Sequence, residues 1–140
     1  MVTSLVKAKQ REVGGILMAE QIKHGEFRVI DFSLDDTSGS VNHFVRLPEH
    51  HCVALDAFFT KTGNDYARFN YLGEWHSHPN HALAPSAIDI ISMRNLLDEE
   101  NGISFAVLLI VKKGCWRQLN CSATLFSQNE KMSKIQIVKE

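Results

Sequence analysis

The chain reads as an α/β protein in which a single mixed β-sheet is flanked by helices. Three observations predict that class. Short apolar or alternating runs of strand length recur along the chain, and two longer stretches with helix start signals interrupt them. The longest apolar run, Phe105 to Val111, has the length of a buried strand and falls far short of the roughly 20 residues of a membrane span. No internal repeat, low-complexity segment or linker divides the 140 residues. One domain covering residues 1–140 is therefore expected, burying roughly two-thirds of its unfolded surface.

Ile16 to Ala19 and Phe27 to Leu34 are expected strands, joined around Lys23-His24-Gly25. Val41 to Leu47 alternates as another strand. Pro48 is placed to open a helix that runs to about Lys61, and Gly63 suits the position just beyond its end. Leu55, Phe58 and Phe59 are its core candidates. Phe69 to Trp75 is a strand that leads into a histidine pair, with Trp75 facing away from them. Ser86 to Glu99 is the second helix, and Phe105 to Lys112 and Cys115 to Leu125 form a hairpin around Lys113-Gly114. Ile135 to Val138 is a last strand or a tail.

Composition narrows the function classes. A net charge of −1 offers no electrostatic footprint for nucleic acid. The N-terminus lacks the apolar core of a signal peptide, so no membrane association and a cytoplasmic location are expected. Cys52, Cys115 and Cys121 are odd in number and lack C-x-x-C spacing, which fits reduced thiols. Cys115 and Cys121 can share a strand face, and burial is the expected reason for them. His50-His51-Cys52 resembles a ligand cluster, but adjacent helical residues diverge by about 100° per step and do not converge on one ion. That trio reads as helix surface and core.

The chemistry concentrates in His76 to Asp89, which read H-S-H-P-N-H-A-L-A-P-S-A-I-D. On an extended segment, positions i and i+2 share a face, so His76 and His78 can grip one ion while Ser77 faces away. Ser86-x-x-Asp89 has the form of a capping box with Asp in place of Glu or Gln. Helical side chains tilt toward the N-terminus, which lets Asp89 lean back toward the histidines. Alone, the serine–aspartate pair is usually only a cap, and a lone His-x-His is usually surface or core. Together, the four fixed residues arise in roughly one shuffled chain in a thousand, so the combination is treated as a site. Two imidazoles and a carboxylate leave one corner of a zinc tetrahedron for water, which is the catalytic arrangement.

Zinc lowers the pKa of bound water to about 7, and a carboxylate must still carry the proton to a leaving group. Two candidates stand out. Glu12 opens E-V-G-G-I-L-M, where Gly14 and Gly15 permit close backbone approach. Glu74 shares the face of His76 and His78 by parity, and can be the base, an outer partner of a histidine or a solvated residue. Spacing leaves the choice open.

The combination of Glu12 before G-G-I-L, then G-E-W-H-S-H-P and P-S-x-x-D, resembles the JAMM (MPN+) zinc metalloprotease family. It is most similar to the small prokaryotic JAB-domain branch, and the likeness runs in order from about Glu12 to Phe126. The resemblance implies an MPN/JAB (cytidine-deaminase-like) fold. It implies one Zn2+ per chain held by His76, His78 and Asp89, with Glu12 as general base and Ser86 supporting the oxyanion. It also implies hydrolysis of the isopeptide or peptide bond after the C-terminus of a ubiquitin-like protein. Prokaryotic members often accompany E1- and E2-like enzymes, including in CBASS anti-phage operons.

Eleven residues precede Glu12, where family members usually carry a longer helix, and this raises the expectation of a homodimer at the N-terminal edge. The insertions that shape ubiquitin recognition in eukaryotic members are not evident. Three functions compete: deconjugation of a ubiquitin-like conjugate, trimming of a ubiquitin-like or sulfur-carrier precursor, and a non-catalytic MPN-type scaffold or zinc-binding interaction module. Occupation of all the catalytic positions argues against the last.

Overall fold

The computed structural model describes residues 1, 5–6, 11–35, 51–99, 103–115, 118–129 and 131–139. Its elements in chain order are β1 (Gly14–Lys23), β2 (Glu26–Phe32), α1 (Cys52–Lys61), β3 (Phe69–Ser77), α2 (Ala87–Glu99), β4 (Phe105–Lys113), β5 (Leu119–Ser127) and β6 (Met132–Ile135). The strands form one mixed six-stranded sheet in the order β2-β1-β3-β4-β5-β6. Four of its neighbouring pairs are antiparallel and only β3–β4 is parallel. A parallel pair needs a crossover, and α2 supplies it. The expected α/β class with one flanked mixed sheet is thus the observed one.

Alternation along the strands divides the core between the two faces of the sheet. Val107 and Val111 of β4 join Val13, Leu17 and Trp75 on one face. Ala106, Leu108 and Ile110 point the other way, against Met93, Leu96 and Leu97 of α2. On that same side Phe58 of α1 covers Ile16 and Met18 of β1. Trp75 is wholly buried, opposite to the histidines as expected, and its indole N–H donates to the Ser33 carbonyl at 2.8 Å. Gly73 is required where β3 meets β4, because a β-carbon there would overlap the Val107 carbonyl. The central position of β3 and β4 matters for the site. Both run toward the same end of the sheet, and that end is where the motif residues gather.

Several sequence expectations shift. β1 extends to Gly14 and Lys23, well beyond Ile16 to Ala19, because its polar end still pairs with both neighbours. α1 begins at Cys52 with His51 at its N-cap, later than Pro48 would set it; Pro48 and the expected Val41 to Leu47 strand lie outside the described residues. Gly63 takes a φ of 73° just past the end of α1, the left-handed conformation that glycine permits. Cys115 does not start a strand. The connection between β4 and β5 is longer than a two-residue hairpin turn, with Gly114 N–H bonded to the Gln118 carbonyl. Cys115 is accordingly exposed, as is Cys52, and only Cys121 is partly buried. The last strand is Met132 to Ile135, which pairs with β5, and the described residues beyond it, 136–139, do not continue it.

Candidate active site

β1 and β3 place the first residues of the site by register alone. Gly14 pairs with His76, and the ladder continues past the last strand pair: Ser77 N–H donates to the Val13 carbonyl at 2.8 Å, and Val13 N–H donates to Ser77 Oγ at 3.0 Å. Two steps beyond Gly14–His76, Glu12 faces His78. Opposed residues of an antiparallel pair project to the same face. Glu12, His76 and His78 therefore converge on the helix-covered side, and Ser77 ties down Val13 on the other. Glu12 is 1 % exposed, and its Oε1 lies 3.8 Å from His78 Nε2.

The second half of the site comes from the start of α2. Ser86 N–H donates to Asp89 Oδ2 at 2.8 Å, and Asp89 N–H donates to Ser86 Oγ at 3.1 Å. This is the reciprocal cap expected of Ser86-x-x-Asp89. The acid also sits in the first turn, where the helix dipole favours it. Ser86 itself is exposed. Its Oγ uses a lone pair for Asp89 N–H, so its own proton remains available to another acceptor.

Strand and helix then meet. His76 Nε2 lies 3.1 Å from His78 Nε2 and 3.2 Å from Asp89 Oδ1, and His78 Nε2 lies 3.1 Å from Asp89 Oδ2. All three residues are buried. A tetrahedral zinc with bonds of about 2.0–2.2 Å would hold its ligand atoms about 3.3–3.5 Å apart, so the donor set fits with only small adjustment. The hydrogen-bond inventory supports the same reading. His78 Nδ1 lies 2.8 Å from the Ala82 carbonyl, which can only accept, so Nδ1 carries the proton. With Nδ1 so committed, Nε2 meets the Asp89 carboxylate across a gap that either a proton on Nε2 or a metal cation fills.

The electrostatics say the same from the other side. Burial alone would raise the Asp89 carboxyl, but hydrogen bonds from His76 and His78, the His76 charge and the Ser86 N–H hold it well below the usual carboxylate range. Burial disfavours a charged His78, yet the bond to Asp89, the Ala82 carbonyl and the charges of Asp89 and Glu12 together raise its pKa above the ordinary value of 6.5. Glu12 is pushed up from 4.5 to about 7, chiefly by burial and also by the Asp89 charge, against the opposing pull of His78. The pocket is built to hold positive charge between His78 and Asp89. Beside it stands a carboxylate that exchanges its proton near neutral pH.

Glu74, the other candidate base, is buried on β3 opposite Ile16, on the face that parity assigns it. Two contributors escaped the sequence reading. The Ala82 carbonyl fixes the His78 ring, and no residue type signals a backbone acceptor. His81 packs edge-on against His78 with ring centroids 5.7 Å apart, and its only signal was a third histidine in H-S-H-P-N-H.

A model of the family of prokaryotic homologues of the JAB domain matches residues 1–126. The chain is 29% identical over 109 residues to the CD-NTase/cGAS isopeptidase of Vibrio cholerae serotype O1, an alignment covering 75% of this chain and 65% of that relative. The chain thus spans slightly under two-thirds of the relative's length. Its fold is similar to that of a Desulfitobacterium hafniense protein known in solution, at a TM-score of 0.65 and 20% identity over 99% of this chain and 84% of that one. A Salinibacter ruber protein is similar at a TM-score of 0.56 and 19% identity, with the same coverage of 99% and 84%.

Proposed function

The chain belongs to the family of prokaryotic homologues of the JAB domain, and on that premise we propose that it is a zinc-dependent isopeptidase or peptidase. Its substrate is the bond after the C-terminus of a ubiquitin-like protein or its conjugate. The observation that carries this reading is the buried group of His76, His78 and Asp89, whose ligand atoms lie within 4.8 Å of one another, with the Glu12 carboxylate beside it. The isopeptidase name of the Vibrio cholerae relative supports a conjugate as the substrate class.

Zinc, when bound, supplies a Lewis acid and brings the pKa of a water toward about 7. The chain's own residues do the rest. His78 is oriented by Ala82 so that Nε2 serves as a ligand, and Ser86 N–H holds the Asp89 carboxylate in place. Glu12 Oε1 accepts a proton from the attacking water and delivers it to the nitrogen that leaves as an amine. Its burial raises its proton affinity, which favours taking the proton before passing it on. Ser86 Oγ–H donates to the oxygen of the scissile carbonyl as negative charge builds on it. The amide C–N bond breaks, water supplies the carboxylate oxygen, and the products are a carboxylate and an amine.

Incubation of the zinc-loaded protein with linear fusions and isopeptide-linked conjugates of a ubiquitin-like protein tests this reading. Cleavage after the C-terminal residue of the ubiquitin-like protein, lost on chelation and restored by zinc, is the expected result. No cleavage of either form by zinc-loaded protein contradicts it.

A further inference from the structure

We propose that Lys112 is a positioning residue for the metal centre, tying the loop that orients the His78 ring to the strand that anchors the His78 backbone. The proposal rests on reading His76, His78 and Asp89 as that centre.

His78 follows directly on β3 and is held at two points. Its backbone N–H donates to the Val111 carbonyl of β4 at 2.9 Å. Its ring is held by the Ala82 carbonyl at Nδ1, 2.8 Å away. The first anchor belongs to a central strand of the sheet, with Ser77 paired to Val111. The second belongs to the loop between β3 and α2, where no strand or helix geometry fixes it. A ligand ring keeps its aim only if both anchors keep their separation. Lys112, the neighbour of Val111 on β4, spans that gap: its Nζ donates to the His81 carbonyl at 3.1 Å. The peptide it grips directly precedes Ala82, and the His81 ring packs against the His78 ring. Val111, Lys112, His81, Ala82 and His78 thus form a closed circuit of contacts around one ligand. A histidine ligand is oriented by whatever its second ring nitrogen bonds, and loss of such an outer partner costs about 10- to 100-fold in metal affinity. Lys112 acts one link further out, so a smaller loss is expected.

The test compares Lys112→Met, Lys112→Arg and Lys113→Met with the wild type. Lys113 is exposed and is the next residue on β4, so it controls for the loss of a lysine charge. Two readouts are taken. One is cobalt affinity and the visible absorption of the cobalt-loaded protein. The other is the ring-nitrogen signals of His78 in long-range 1H–15N spectra, recorded with and without metal. Lys112→Met should bind cobalt about 3- to 10-fold more weakly, with altered absorption and a shifted His78 ring signal. Lys112→Arg should recover most of the affinity, and Lys113→Met should match the wild type. Wild-type ring signals and affinity in Lys112→Met overturn the proposal. If the wild type itself binds no cobalt while Lys112→Met still shifts the His78 ring signals, the metal reading fails and the positioning role stands.

Discussion

Two buried histidines sit in opposite situations. His51, at the start of α1, is 2 % exposed, and its Nδ1 is hydrogen-bonded to the Ser33 hydroxyl. A hydroxyl both donates and accepts, and this one also accepts the Ile16 N–H at 2.9 Å. His78 is equally buried, but with its Nδ1 committed to Ala82 its Nε2 meets a carboxylate across a gap that a proton or a metal ion must fill. A buried histidine's partners thus mark its role. A hydroxyl that both donates and accepts makes a structural fastening. An imidazole nitrogen set against a carboxylate makes a site for a proton or a metal cation. The first cluster fastens β1 to the end of β2, where Ser33 lies so close that Gly15 has no room for a side chain. The second collects the groups that chemistry needs.

That contrast can be broken from either side. The largest effect is expected at Glu12. Glu12→Gln should keep zinc and the fold yet slow cleavage about 10²- to 10⁴-fold, the range for removal of a general base. Steady-state rates alongside metal content check it. Glu74→Gln should retain most activity, and a dead Glu74 variant with an active Glu12 variant would reverse the two roles. Ser86→Ala should cost about 10²- to 10³-fold in kcat if its hydroxyl serves the oxyanion. A lowered melting temperature with full turnover would leave only the cap, worth about 1 kcal/mol.

The His51 cluster should respond in stability alone. Ser33→Ala removes the hydroxyl that accepts a buried N–H and bonds a buried imidazole, at a cost of about 1–3 kcal/mol. Urea unfolding measures that loss, while zinc content and turnover per folded molecule should match the wild type. Reduced zinc content in well-folded Ser33→Ala would dissolve the distinction between the clusters.

A further effect concerns pH in the metal-free protein. Glu12 binds its proton more tightly folded, at about 7, than unfolded, near 4.5, so stability falls as pH rises between those values. The raised His78 adds stability that is present below 6.5 and lost as pH rises through its folded value. Asp89 works in the opposite direction. Its contribution is present above 3.8 and is lost only on strong acidification. Metal-free protein should therefore unfold at lower urea at about pH 8 than at about pH 5, and Glu12→Gln should flatten that slope. Equal slopes in the two proteins would show that the Glu12 carboxyl is not held at a raised pKa.

The two clusters also differed in how far the sequence revealed them. His76, His78 and Asp89 were legible because their spacing is local: strand parity aligns the histidines, and a cap fixes the aspartate within one turn. The alternating strands and the crossover helix α2 were legible for the same reason. Glu12 lies 64 residues before His76, and its approach depends on the β1–β3 register, which no local pattern encodes. The choice between Glu12 and Glu74 therefore stayed open until resemblance entered. His51 was read with His50 and Cys52 as helix surface and core, and Ser33 as part of a strand; nothing local signals that the two meet. Cys115 was expected to start a strand because Lys113-Gly114 reads as a two-residue turn, and a longer turn forms instead.

Metal analysis of the purified protein decides whether His76, His78 and Asp89 form a zinc site. Near-stoichiometric zinc is expected in the wild type, with most of it lost in folded His78→Ala. Equal zinc in the two proteins, or none in a wild type purified without chelator, would contradict it.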